Sequence, residues 1–310
     1  MKNWYIILEL CVVLLIACLS GCTQPLPTEN KENNVESDNN DNEKDTNLYQ
    51  WSQMNEGPYK DKISFATSTD LLNWTDSQRI LAEHASVPGA VYKNGIIYVY
   101  FVDVSENGKP EQIGLIRSED NGQTWSPKEY VSFEGIGEKV PVDPAPLLLD
   151  DGRIRLYYFD INEGRSSHSP PGTNKIYSAI STDGRHFIQE DGIRFEKEAI
   201  FDPDVVCVGN TWYLYVGYIM SNQILSAIST DGLTFTEKGP AYHGGTVPDV
   251  FYHNGTYYLY TIGIDISTSQ DGLWFTKTSS RFQSNVGTVT ADASVIQLND
   301  GTYLMLYKTR

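Results

Sequence analysis

An internal repeat constrains this chain more than any other feature. Five segments share Ser-x-Asp followed by an aromatic residue: Ser68-Thr69-Asp70 with Trp74, Ser118-Glu119-Asp120 with Trp125, Ser181-Thr182-Asp183 with Phe187, Ser229-Thr230-Asp231 with Phe235, and Ser269-Gln270-Asp271 with Phe275. Gly184, Gly232 and Gly272 follow the Asp in three of them. Each reads as a tight turn between strands. The Asp accepts hydrogen bonds from turn amides, Gly supplies a positive φ, and the aromatic packs back onto the sheet.

A second repeat alternates with the first. It is an apolar strand, a turn and a Tyr-rich strand, over Val87–Tyr100, Val142–Tyr158, Asp202–Tyr215, Val247–Tyr260 and Asp292–Tyr307. Four strands recur roughly every 50 residues with no helical periodicity, which specifies an all-β fold, a five-bladed β-propeller. The last copy stops after its second strand. Residues 62–67 read as a third strand running into the first Ser-x-Asp turn. The N-terminal hairpin is therefore expected to close the last blade and remove two exposed edges.

Composition bounds the partners. The 310 residues carry a formal net charge of −17. That balance lacks the basic face nucleic acid requires and repels anionic lipid. It suits neutral or cationic ligands. Cys11, Cys18 and Cys22 precede the body, so Cys207 is left without a disulfide partner and structural zinc is excluded. Cys207 lies in Val205-Val206-Cys207-Val208 and reads as an inert core thiol.

The N-terminus reads as an address. Lys2 precedes an apolar run from Trp4 to Leu19, shorter than the ~20 residues a spanning helix needs. The run ends in Leu19-Ser20-Gly21-Cys22, which resembles the lipobox of bacterial lipoproteins. The resemblance implies cleavage before Cys22, lipidation of its thiol, and a lipid-anchored cell-envelope protein at the outer membrane or cell surface. An ordinary secretory signal is the alternative. Residues 22–48 are acidic and nearly free of apolar side chains, a disordered tether. The organisation expected is a signal peptide over 1–21, lipidated Cys and linker over 22–48, and the propeller over 49–310, as a monomer.

Chemistry is expected where first strands line the central channel. Their starts align as Val87-Pro88-Gly89, Asp143-Pro144-Ala145, Asp202-Pro203-Asp204, Val247-Pro248-Asp249 and Asp292-Ala293-Ser294. Asp143, Asp202, Asp204, Asp249 and Asp292 thus crowd one tube. Like charges held close raise each other's pKa. Such a cluster suits paired-carboxylate catalysis, a bound cation, or capping of inner-strand backbones.

The Ser-x-Asp turns resemble the Asp-boxes of sialidase-like propellers. Five blades with Asp-Pro at first-strand starts, as in Asp143-Pro144 and Asp202-Pro203, resemble the five-bladed glycoside hydrolases of families 43 and 32, the arabinanase and β-fructosidase clan. The resemblance implies that Asp143 is base or nucleophile and that Asp202 orients substrate and tunes the acid. Val247-Pro248-Asp249-Val250-Phe251 matches the stretch that follows the family's acid, whose own place is taken by Thr246. Thr cannot donate the proton that glycoside hydrolysis needs. Asp249 is the replacement on the same strand. Asp204, Asp292, Glu83, His84, His243 and Thr246 are candidate substrate contacts, His being a plausible acid near neutral pH. The metal, if any, is not specified by residue. Calcium in the axial channel is the one cofactor the resemblance suggests. The expected function is a glycoside-hydrolase-like propeller acting on extracellular oligosaccharide or polysaccharide. The alternative is a non-catalytic glycan- or protein-binding propeller that has lost its acid.

Overall fold

The computed structural model describes residues 59–106, 109–164 and 172–310. The signal peptide, Cys22, the linker and the first residues assigned to the propeller lie outside the described residues. Among the described residues, twenty-two strands form five sheets arranged as a β-propeller.

Strands β1 (Lys62–Ser68) and β2 (Thr75–Glu83) belong to the closing blade. Blade 1 is β3 (Ala85–Lys93), β4 (Ile96–Asp103), β5 (Gln112–Ser118) and the short β6 (Glu129–Tyr130). Blade 2 is larger. A connecting strand, β7 (Ser132–Glu134), runs parallel to β11 (His186–Gln189) outside the meander β8 (Pro141–Leu148), β9 (Ile154–Asp160) and β10 (Thr173–Ser181). Strand β12 (Phe195–Glu198) also pairs with β10. Blade 3 is β13 (Ile200–Val208), β14 (Thr211–Tyr218), β15 (Gln223–Ser229) and β16 (Thr236–His243). Blade 4 is β17 (Asp249–His253), β18 (Thr256–Tyr260), β19 (Asp265–Ser269) and β20 (Thr276–Arg281).

Strands β21 (Thr290–Gln297) and β22 (Tyr303–Thr309) supply the inner half of the closing blade, whose order is β2-β1-β22-β21. Strand β1 pairs antiparallel with β22 along its whole length, from Lys62 opposite Thr309 to Ser68 opposite Tyr303. The expected closure is therefore present. The inner strands β3, β8, β13, β17 and β21 touch in cyclic order around the channel.

The Ser-x-Asp turns hold themselves by one bonding scheme. In the third, Ser181 Oγ donates to Asp183 Oδ1 at 2.9 Å and accepts the Gly184 N–H at 2.8 Å. Asp183 Oδ1 also accepts the Arg185 and His186 N–H groups. The other four repeat the Ser-to-Asp bond. The conformation at the fourth residue is left-handed, with φ +76° at Gly184 and +66° at Leu71.

Four of the turn aromatics pack onto the sheet across a blade junction, and Phe187 also stacks on Phe133 of its own sheet at 5.7 Å. Phe187 meets Tyr100 of blade 1 edge-on at 5.7 Å and 81°, Phe235 meets Tyr157, Phe275 meets Tyr215, and Trp74 meets Tyr260. Edge-on aromatic pairs contribute about 0.5–1.5 kcal/mol beyond their buried area. The same four tyrosines donate to the turn carbonyls of the next blade: Tyr100 to Gly184, Tyr157 to Gly232, Tyr215 to Gly272 and Tyr260 to Leu71, at 2.7–2.9 Å. At the fifth junction Leu306 stands opposite Ser294, where the other blades have Tyr, and Arg79 donates to the Gly122 carbonyl instead. The abundance of Tyr is thus explained by blade-to-blade joints.

Candidate functional site

Four of the five inner strands break register where they enter the channel, β17 being the exception. The ladder skips between Ser86 and Gly89, Val142 and Ala145, Phe201 and Asp204, and Ala291 and Ser294. The first skipped residue has left-handed backbone: Val87 φ +49°, Asp143 +52°, Asp202 +46° and Asp292 +49°. Val247, two residues before β17, has +52°. Proline explains the placement, because it has no N–H to give a ladder and is tolerated at bulges. Pro88, Pro144, Pro203 and Pro248 follow four of these residues. Asp tolerates left-handed backbone better than most residues, whereas the two valines are outliers that cost on the order of 1–3 kcal/mol each. The bulges set two rows of side chains around the channel.

The lower row is Gly89, Ala145, Asp204, Asp249 and Ser294. Three of its members clip one blade to the next. Asp204 Oδ2 accepts the Val250 N–H at 2.8 Å, Asp249 Oδ2 accepts the Val295 N–H at 3.2 Å, and Ser294 Oγ accepts the Ala90 N–H at 2.9 Å. Gly89 needs its missing side chain, since a Cβ there would lie 2.1 Å from the Pro144 carbonyl oxygen. Burial pushes the Asp204 carboxyl up to about 7, against the pull of its backbone bonds. Burial, then the charge of Asp204, pushes Asp249 well above the usual carboxylate range.

The upper row is Val87, Asp143, Asp202, Val247 and Asp292. Asp143 and Asp202 are partly accessible from the channel and hydrogen-bond to each other. Burial pushes Asp143 up to about 6, and its bond from Asp202 draws it back. Burial and then the Asp143 charge push Asp202 much further up. The two carboxyls thus titrate as a pair, with Asp202 held higher than Asp143. Asp292 is buried and ion-paired with Lys308. Lys308 Nζ also lies 3.9 Å from Asp61, which accepts from Arg310 Nε at 2.8 Å and from Ser86 Oγ at 3.0 Å. Burial alone would lower the Lys308 pKa, but the charges of Asp292 and Asp61 more than reverse it.

The inner strands enclose a cavity of about 320 Å³ containing both rows. That is at the lower end of the roughly 300–1,000 Å³ of small-ligand sites. Asp143, Asp202, Asp204, Asp249 and Asp292 all line it, as the sequence predicts. Tyr92, Cys207 and Tyr252 line its far end, at the C-terminal ends of their strands. Cys207 is half-buried rather than in the core, and burial raises its thiol pKa.

Four other sequence candidates do not line the cavity. Thr246 is 1% exposed, and its carbonyl accepts the Ile262 N–H at 2.9 Å. Glu83 is exposed and pairs with Lys62 at 3.3 Å. The exposed His84 places Nδ1 2.6 Å from the Tyr59 carbonyl oxygen. The exposed His243 places Nδ1 2.8 Å from Gln223 Nε2, with its ring 5.7 Å from that of Trp274. Asp61 and Lys308 escaped sequence reasoning. Lys308 sits in the apolar Tyr-rich strand, and only the closing pairing of β1 with β22 brings Asp61 to it.

Calcium does not fit the upper row. The Lys308 ammonium group is already seated on Asp292 there. Among the described residues no three His, Cys, Asp or Glu side chains are arranged to hold a metal ion.

No protein-family model and no curated protein matches the sequence. Solved structures do match the fold. A GH32 β-fructofuranosidase mutant from Bombyx mori, in complex with sucrose, is similar with a TM-score of 0.56 at 16% identity, over 71% of this chain and 54% of that one. This chain therefore spans about half the length of that enzyme. A GH43_1 enzyme from Xanthomonas citri, complexed with xylotriose, gives 0.56 at 17% identity over 72% and 81% of the two chains. An endo-1,4-β-xylanase from Bacteroides thetaiotaomicron gives 0.55 at 20% identity over 71% and 82%. The chain has the five-bladed β-propeller fold seen in these GH32 and GH43 glycoside hydrolases.

Proposed function

We propose that the axial channel is a carbohydrate site and that the chain acts as a glycoside-hydrolase-like propeller on extracellular oligosaccharide or polysaccharide. The observation that carries this reading is the hydrogen-bonded Asp143–Asp202 carboxyl pair, raised above the usual carboxylate range by burial and open to a cavity of small-ligand size. A carboxylate with a pKa of about 6 is a useful base near neutral pH. Asp143 would draw a proton from water at the anomeric carbon, or attack that carbon directly. Asp202 would hold Asp143 in place and tune it.

Carboxyls in contact are closer than the roughly 5–5.5 Å of retaining pairs or 6.5–9.5 Å of inverting ones. Asp202 is thus the tuning partner and not the proton donor. Asp204 and Asp249 are bound to backbone amides, Asp292 is bound to Lys308, and position 246 is a buried Thr. Without a free acid, the substrates cleaved best should be those whose leaving group departs without a proton, such as dinitrophenyl glycosides.

The second reading is a non-catalytic glycan-binding propeller. It is favoured by Thr246, which is turned away from the cavity where the resemblance would place an acid. The test is hydrolysis of dinitrophenyl arabinosides, xylosides and galactosides, beside sugar release from arabinan, xylan, galactan and fructan. Turnover that Asp143→Asn lowers about 100-fold or more supports the first reading. Saturable, Asp143-dependent glycan binding without turnover supports the second. Absence of both turnover and binding would sink both readings.

We also propose export and lipid anchoring through Cys22 after removal of residues 1–21, supported by Leu19-Ser20-Gly21-Cys22 and the acidic tether that follows. Incorporation of labelled fatty acid, lost in Cys22→Ser, tests the anchor. Light scattering of the chain lacking residues 1–48 tests the expected monomer.

A further inference from the structure

A lysine near the end of a strand ordinarily carries its ammonium group out to water. Lys308 does not, being 8% exposed on β22. A buried ammonium is costly unless it is paired. Here the pairing is with Asp292, from β21, and with Asp61, from the segment before β1. Asp61 is fixed in turn by Arg310 and by Ser86 of β3. Neither Asp292 oxygen accepts a hydrogen bond from any other described residue. Lys308 alone therefore fixes the Asp292 carboxylate, and its charge also acts on Asp143 of β8 and Asp202 of β13.

We propose that Lys308 is a positioning residue of the axial site, the built-in counter-cation of Asp292, Asp202 and Asp143. The β21–β22 hairpin, which sets Ala291 opposite Lys308, brings the ammonium group to Asp292, and ring closure by β1 adds Asp61 as its second partner. Its catalytic meaning rests on the carbohydrate-hydrolase reading above, but its electrostatic content does not. A merely structural ion pair would hold the seam and leave Asp143 indifferent to the charge at position 308.

The experiment is carboxyl carbon-13 NMR of the full chain labelled at Asp, with Asp143 assigned by Asp143→Asn. In Lys308→Gln, which keeps a donor for Asp292 but removes the charge, the Asp143 midpoint should rise by about one pH unit. Lys308→Arg should restore it. An unchanged midpoint in folded Lys308→Gln overturns the proposal. Should that variant not fold, the wild-type Lys308 nitrogen-15 resonance gives a second measurement. It should move at the pH where Asp143 titrates, and a resonance silent there overturns the proposal equally. Glycoside turnover is measured on the same samples. A shifted Asp143 midpoint with no turnover by any chain leaves the counter-cation standing and sinks the hydrolase reading.

Discussion

Tyr260 Oη donates to the carbonyl of Leu71 at 2.9 Å, joining residues 189 positions apart in the chain. Its counterparts Tyr100, Tyr157 and Tyr215 make the same bond to the following blade. Burial holds the hydroxyl of Tyr215 far above its ordinary pKa, so it remains a donor at any pH the fold would meet.

Removing one of these bonds should cost more than removing a tyrosine hydroxyl that has none. Tyr215→Phe leaves the Gly272 carbonyl without its donor and should lose about 1–2 kcal/mol. Tyr158 is equally buried, but its Oη has no partner among the described residues. Tyr158→Phe should be neutral or stabilising. Urea unfolding of both variants checks the contrast, and equal losses would refute the account of the joints.

Gly89 should tolerate no side chain. In Gly89→Ala the new methyl would collide with the Pro144 backbone, which cannot swing aside as a flexible side chain can. The expected loss is several kcal/mol, in the range reserved for overpacked cores and strained backbone. Gly95→Ala is the comparison. Nothing lies within 4 Å of its added methyl, so only the φ of +83° opposes it, at a cost of about 1 kcal/mol.

Stability should peak in mild acid. Asp143 and Asp204 have native pKa values raised to about 6 and about 7, and Asp202 and Asp249 are raised further. In the unfolded chain all four ionise near pH 4. Above that pH the native state holds more protons, so stability falls as pH rises through the native values. The turn carboxyls act in the opposite sense. The Asn73 side chain holds Asp70 down at about 2, and the Thr124 side chain holds Asp120 down at about 2. Their contribution is present above pH 4 and is lost as pH falls towards 2. Melting temperatures taken from pH 2.5 to 8.5 should therefore pass through a maximum near pH 4–5. A curve that rises from pH 5 to 8 would contradict this, and Asp204→Asn should flatten the decline around pH 7.

Deleting residues 291–310 should unfold the domain rather than trim it. Strand β22 pairs with β1 on one side and β21 on the other, so its loss strips the β1–β2 hairpin of its only other sheet partner. Near-ultraviolet circular dichroism should lose its tertiary signal. A truncated chain that keeps a cooperative melt would show that closure is dispensable.

Fold and ring closure were legible in the sequence because each blade repeats the same turn chemistry, and five copies of Ser-x-Asp fix both strand count and phase. The two carboxylate rows were legible for the same reason, since X-Pro marks one point in successive strands. What the repeat could not carry was direction across blades. An aromatic after a turn gives no sign of whether it faces its own sheet or the neighbouring tyrosine. Glu83, His84 and His243 stand close in sequence to the channel strands. Glu83 and His243 end the outer strands β2 and β16 and His84 follows β2, so all three are exposed away from the cavity, beyond the reach of one-dimensional spacing. Lys308 was hidden for a different reason. Its partner Asp292 meets it across the β21–β22 hairpin, but Asp61 precedes β1, and only the completed circle brings that second carboxylate in.

The residue at the head of each inner strand has the same left-handed φ whether it is Val or Asp. Side-chain identity at that point is thus uncoupled from the course of the backbone. The channel behaves as a five-letter word written on fixed type, in which one letter can be replaced without resetting the line. New chemistry on this scaffold would then require exchanges at positions 87 and 247, whose valines already bear the strain that a functional group would need to inherit.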